Sequence, residues 1–118
     1  LVVEDAPASQ HLIKEILEQT RARVIIAGDG KEALRTIENG HSITLILLDL
    51  QLPDQSGLEL TQRIKRSHPQ MPIIAQTAYA MRQDKQRTLE AGCDDYLSKP
   101  LNAELMLKKI ETFIEEKG

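Results

Sequence analysis

The sequence predicts an α/β fold: an open, five-stranded parallel sheet, doubly wound, with five helices on both faces. Three observations lead there. Short runs rich in Val, Ile and Leu alternate five times with stretches whose apolar residues recur at helical spacing. Such alternation gives a parallel sheet joined by right-handed crossovers. The most apolar run, ITLILL at 43–48, is hydrophobic on both faces, as a central parallel strand must be. Five strand–helix units also fall short of the eight that close a barrel, so the sheet stays open.

Each element has its own signal. LVV at 1–3 is the first strand. Residues 9–20 place Leu12, Ile13, Ile16 and Leu17 on one helical face, with Ser9 as N-cap. VIIA at 24–27 is the second strand, broken by Gly28, Asp29 and Gly30. Asp29 is placed to cap the helix over 31–39, which buries Ala33, Leu34 and Ile37 and ends at Gly40. After the third strand, a helix over 56–67 turns Leu60 and Ile64 inward. It stops at His68-Pro69, because the residue before a proline avoids the helical region. PIIAQT at 72–77 is the fourth strand. The helix over 81–91 is mostly polar, with Leu89 as its main apolar anchor, and Gly92 closes it. A helix so lightly buried is expected to shift easily. YLS at 96–98 is the fifth strand. The last helix, 102–116, is capped by Asn102 and carries Met106, Leu107, Ile110, Phe113 and Ile114 on one stripe.

The 118 residues form one domain, 1–118, large enough to bury ~65% of the unfolded chain's surface. Aromatics make up 3% of the chain, so Leu, Ile, Val and Ala must build the core. A net charge of -3 argues against direct nucleic-acid binding through a phosphate-neutralising surface. The single cysteine, Cys93, excludes an internal disulfide and reads as a packing residue beside Gly92. No apolar run approaches the ~20 residues of a membrane span, and no signal peptide is read. These features lead to a cytoplasmic reading. His11, His41 and His68 are scattered and form no ligand set. The chain opens in mid-strand with LVVED, so the first strand is expected to be truncated.

In open sheets of this kind, ligands bind beyond the carboxyl ends of the strands, where the strand order reverses. Strand one ends in Glu4-Asp5, strand three in Asp49, strand four in Thr77 and strand five in Lys99-Pro100. Strand two ends in Ala27-Gly28 and offers no charge, which suits the sheet margin. Taken singly, each residue has a plain structural reading. Asp49 would be an Asx turn or cap, Glu4-Asp5 a helix start, Thr77 a strand end and Lys99 a solvated charge. Gathered on one edge they make a chemical site. Three neighbouring carboxylates repel one another and raise each other's pKa, and a divalent cation removes that penalty. Carboxylates, a backbone carbonyl and waters are the ligands Mg²⁺ (or Mn²⁺) takes. A cation, an ammonium and a hydroxyl together suit a phosphoryl group, and one carboxylate is then free to become an aspartyl phosphate.

The motifs VVED, LLDLQLPDQSGLEL, PIIAQTAYA and AGCDDYLSKPL, in that order, resemble the receiver domain of two-component response regulators over the whole chain. The resemblance implies a flavodoxin-like sheet in the order 2-1-3-4-5. It makes Asp49 the phosphoacceptor. Glu4 and Asp5 become the acidic pair for Mg²⁺, with Asp5 and Asp49 preferred as direct ligands and the backbone carbonyl of Gln51 as a further one. Thr77 would bond one phosphoryl oxygen and Lys99 another, and Tyr96 matches the switch aromatic that moves with Thr77. The Lys99-Pro100 bond is expected to be cis. Glu4 stands where Asp is more frequent and Gln51 where Met is common. The side chains of Gln51 and Tyr79 would flank the site and influence the lifetime of the phosphate.

The implied function is phosphoacceptor signalling. Asp49 takes a phosphoryl group from a phosphohistidine on a sensor histidine kinase or phosphotransfer domain. The surface of helix four, strand five and helix five then switches. The resemblance also allows a homodimer through that surface. The stretch from 75 to 102 looks like receivers that stand alone or are attached to hybrid histidine kinases. The competing enzyme reading is an aspartyl-phosphate phosphatase or phosphotransferase, as in the haloacid dehalogenase superfamily. Such enzymes carry a second Asp two residues after the nucleophile, where this chain has Gln51. A nucleotide binder would need a glycine-rich loop after strand one, where the sequence is EDAPASQ. A third reading is a receiver-like interaction module that is never phosphorylated.

Overall fold

The computed structural model describes residues 1–40, 42–77 and 82–117. The expectations for His41, Tyr79 and the start of the fourth helix at 81 lie outside them. The elements alternate as expected: β1 (Val2–Val3), α1 (Pro7–Leu17), β2 (Ile26–Ala27), α2 (Gly30–Glu38), β3 (Ile46–Asp49), α3 (Gly57–Ser67), β4 (Ile73–Thr77), α4 (Arg82–Glu90), β5 (Asp95–Ser98) and α5 (Ala103–Lys117). All strand pairs are parallel, in the order β2-β1-β3-β4-β5. The order therefore reverses between β1 and β3.

Two apolar layers hold the sheet. On one face, Val3, Leu48 and Ala75 meet Ala33 and Ile37 of α2, Leu60 and Ile64 of α3, and Cys93. On the other, Val2, Leu47, Ile74 and Leu97 meet Ile13, Ile16 and Leu17 of α1 with Met106 and Ile110 of α5. Successive strand residues point to opposite faces, so β1, β3 and β4 need apolar side chains at every central position.

Several local expectations change. The N-cap position of α1 is Ala6, not Ser9, and no side chain caps it. Pro7 starts this helix because its fixed φ and missing N–H suit the first turn. The helix ends at Leu17 rather than 20, where the Thr20 hydroxyl donates to the Leu17 carbonyl at 2.7 Å. Leu12 is 43% exposed, at the border of the stripe rather than inside it. β2 and β3 are shorter than their apolar runs, since a ladder extends only as far as a neighbouring strand offers partners. Leu89 does not anchor α4: it is 51% exposed, while Thr88 is 1% exposed. Ile114 is also exposed, although Met106 and Ile110 of its stripe are buried.

The expected caps of the other helices hold. Asp29 accepts from the Glu32 amide at 2.7 Å, and Asn102 from the Leu105 amide at 3.0 Å. Gly40 and Gly92 adopt φ of 79° and 110°, the left-handed turn that closes a helix.

Candidate functional site

The site is built at the carboxyl edge, where β1 and β3 diverge. β3 is buried along its whole length and delivers Asp49 there with the residue 5% exposed. Register places Val3 beside Leu48, so Glu4 follows onto the same row as Asp49. Glu4 is fully buried, and its Oε1 accepts from the Ala6 amide at 3.1 Å. The Gln10 side-chain amide donates to the Glu4 carbonyl at 2.6 Å, fixing the start of α1 over the site. Asp5 is exposed at the rim. One carboxylate oxygen from each of Glu4, Asp5 and Asp49 lies within 4.8 Å of the others.

Lys99 enters from the end of β5. Its Nζ donates to Asp49 Oδ2 at 3.0 Å and stands 3.5 Å from Glu4 Oε2. The Lys99-Pro100 peptide is cis. Asp49 Oδ1 accepts from the Gln51 amide at 2.9 Å, which fixes the carboxylate from the opposite side. The loop then turns back through a Gln51–Ser56 bridge and a bond from the Gly57 amide to the Leu50 carbonyl. Any Cβ at Gly57 would lie 2.5 Å from Leu50 Cα and 2.7 Å from the Asp49 carbonyl oxygen, so only glycine fits this close approach. Thr77 closes β4, and its carbonyl accepts from the Lys99 amide at 2.9 Å.

Electrostatics follow from burial. Glu4 is pushed up to about 7, first by loss of solvent, then by the neighbouring Asp49 carboxylate and its charge. Burial pulls the Lys99 ammonium down, but Asp49 and Glu4 outweigh it and hold the group above its ordinary value. Two buried carboxylates, a third at the rim and one ammonium leave the cluster short of positive charge. The oxygen-only donor set is the kind that hard divalent cations take.

The structure thus brings Glu4, Asp5, Asp49, Gln51, Thr77 and Lys99 to one edge. Tyr96 lies further along β5, half-buried in register with Ala75. Two neighbours escaped the sequence reading. Lys109 of α5 sits 5.1 Å from the Tyr96 ring centroid, donates to the Tyr96 carbonyl at 3.0 Å and pairs with Asp95 at 2.8 Å. Nothing in the sequence signals a contact reaching across from another helix. Gln76 is the second. Its signal was visible, as a polar residue inside the apolar run PIIAQT.

Residues 1–111 match the response regulator receiver domain family. The chain belongs to this family. Among relatives of the receiver domain, a hybrid signal transduction histidine kinase I from Dictyostelium discoideum is 41% identical over 98% of this chain. The chain spans 7% of that protein's length. The polar-differentiation response regulator DivK from Brucella ovis is 34% identical over 97% of this chain, which spans 94% of it. Among solved structures, the receiver domain of a Pseudomonas aeruginosa sensor histidine kinase has a magnesium ion coordinated in its active-site cleft. It is 34% identical, with a TM-score of 0.87, covering 97% of this chain and 94% of that one. Receiver domains serve two-component signalling, and that is the function class of this chain. Among the described residues, no helix is long and apolar enough to cross a membrane.

Proposed function

We propose that this receiver domain accepts a phosphoryl group on Asp49 from a phosphohistidine of a partner histidine kinase or phosphotransfer domain. The observation that carries the reading is buried Asp49 held by Lys99 at 3.0 Å within a three-carboxylate cluster at the switch point of the sheet. Glu4, Asp5, Asp49 and the Gln51 carbonyl would hold Mg²⁺ or Mn²⁺, which when bound supplies positive charge against the phosphoryl oxygens. The donor set fits such an ion: among the described residues, buried Glu4 Oε2 has no hydrogen-bond partner, only the Lys99 ammonium at 3.5 Å.

An Asp49 carboxylate oxygen attacks phosphorus in line as the phosphorus–nitrogen bond breaks. The leaving imidazole nitrogen keeps the bonding pair. The Gln51 amide and Lys99 aim the carboxylate before the attack, which removes orientational freedom from the step. Lys99 then turns its ammonium to one phosphoryl oxygen, and the Thr77 hydroxyl donates to another. Inward movement of Thr77 is followed by Tyr96, which biases the surface of α4, β5 and α5 between two states. Among the described side chains of α4, Thr88 is buried and Leu89 exposed, which supports that reading, since a helix with few buried anchors shifts at low cost.

The test is direct. With Mg²⁺ and acetyl phosphate, intact mass should show one phosphoryl group on the wild type and none on Asp49→Asn. An unmodified wild type, or an Asp49→Asn protein modified to the same extent, would sink the assignment.

A further inference from the structure

Among the described residues, three buried side-chain atoms lack a hydrogen-bond partner: Glu4 Oε2, Gln76 Nε2 and Gln76 Oε1. All three belong to one row of the sheet. Glu4 follows Val3, the register partner of Leu48; Asp49 pairs with Gln76, and Gln76 with Leu97. Neighbouring strands lie about 4.8 Å apart, so Gln76 stands laterally next to Asp49 on the same face. Gln76 is 0% exposed. Lys99, two residues beyond Leu97, ends the adjoining strand above it.

A buried amide with neither donor nor acceptor satisfied is uncommon and costly, and the apolar alternative was available to the fold. Ile74, two residues earlier on the same face, is fully buried. The register neighbours of Gln76 are Leu97, which has no polar side-chain atom, and Asp49. Along the row, the polar group beside Gln76 is therefore Asp49, to which the Lys99 ammonium is paired.

We infer that Gln76 is a positioning residue of the phosphoacceptor site. In the resting state its amide stands beside Asp49 with neither atom satisfied. When Lys99 turns to the incoming phosphoryl group, the Gln76 Nε2 donates to the Asp49 oxygen that Lys99 releases. The amide holds the carboxylate in its attacking orientation while its partner changes. This inference rests on Asp49 being the phosphoacceptor.

The substitution Gln76→Met keeps the unbranched shape and removes both orphaned atoms. If Gln76 only filled space, the variant would be as stable as the wild type or more so, and it would be phosphorylated at the same rate. A positioning role separates the two properties. The urea midpoint of Gln76→Met should be unchanged or raised. Its phosphorylation rate by phosphoramidate, at saturating Mg²⁺ and donor, should fall about tenfold, the scale of one net hydrogen bond. Half-saturation by Mg²⁺ should stay within about twofold, because Gln76 is not a ligand. A folded variant phosphorylated within about twofold of the wild-type rate overturns the inference.

Should Gln76→Met fail to fold, the same comparison is made with Gln76→Leu. Alongside either variant, the Gln76 side-chain amide of the wild type is followed by NMR. One Nε2 proton should move downfield when beryllofluoride loads the site, and unchanged shifts overturn the inference. Failure of the phosphoacceptor reading looks different, because the wild type itself then forms no adduct.

Discussion

Glu4 lies fully buried beside a second carboxylate, and that placement makes the fold sensitive to pH. Its folded pKa of about 7 stands above the ordinary value of 4.5, so the native state binds the proton more tightly than the unfolded chain. The stability contributed by protonated Glu4 is complete below 4.5. It falls as pH rises toward 7 and is lost above that. In metal-free buffer, the urea-derived stability of wild type relative to Glu4→Gln should therefore decline between pH 5 and pH 8, by on the order of a few kcal/mol at most. Parallel pH profiles for the two proteins would show that Glu4 carries no such penalty. Asp54 is another residue whose role only the folded chain discloses. Its carboxylate accepts from the Gly30 and Lys31 amides at 2.9 and 3.0 Å, tying the loop after Asp49 to the amino end of α2. Those two bonds, the Gly30 contact first, hold its carboxyl below the usual range.

At the level of elements, α3 and α4 bracket what a helix on this sheet can be. α3 is fixed by Leu60 and Ile64, both buried against the sheet, and by Gly57 pressed on the Leu50 backbone. Leu60→Ala should cost about 2–5 kcal/mol, since the packed layer cannot collapse into the space left behind. α4 shows the opposite. Leu89 faces solvent, and Leu89→Ala should change stability by less than about 0.5 kcal/mol. Chemical denaturation of the two variants measures both; a large loss at Leu89 would mean that α4 is anchored where its side chain is now exposed. The polar composition of α4 was plain in the sequence. Which of its residues faces inward was not, because Thr88 and Leu89 differ by only 100° around the helix and propensity does not choose between them.

For the molecule as a whole, the proposed cation site at the acidic edge would link metal binding to folding. Neither Asp5 nor Asp49 has its geometry without β1 and β3 in register, so a cation bound there stabilises the native state only. Mg²⁺ at a hundredfold excess over its dissociation constant should raise wild-type stability by about 2.7 kcal/mol. Thermal denaturation with and without Mg²⁺ should show the rise in wild type and lose most of it in Asp5→Asn. An equal rise in both proteins would place the cation elsewhere.

Sequence alone determined the alternation of strands and helices, the burial of ITLILL, and the arrival of Glu4, Asp5, Asp49, Thr77 and Lys99 at strand ends. These follow from periodicity and apolar runs, which are local properties of the chain. The start of α1 was also in principle legible, since Pro7 outweighs Ser9 for the first turn. Tertiary structure alone decided the rest. The 3.0 Å pairing of Lys99 with Asp49 spans fifty residues. The raised pKa of Glu4 and the row joining Gln76 to Asp49 depend on strand register, and the Lys109 contact with Tyr96 on how α5 packs against β5. Register is set by the packing of both faces at once, and no single stretch of sequence contains that information.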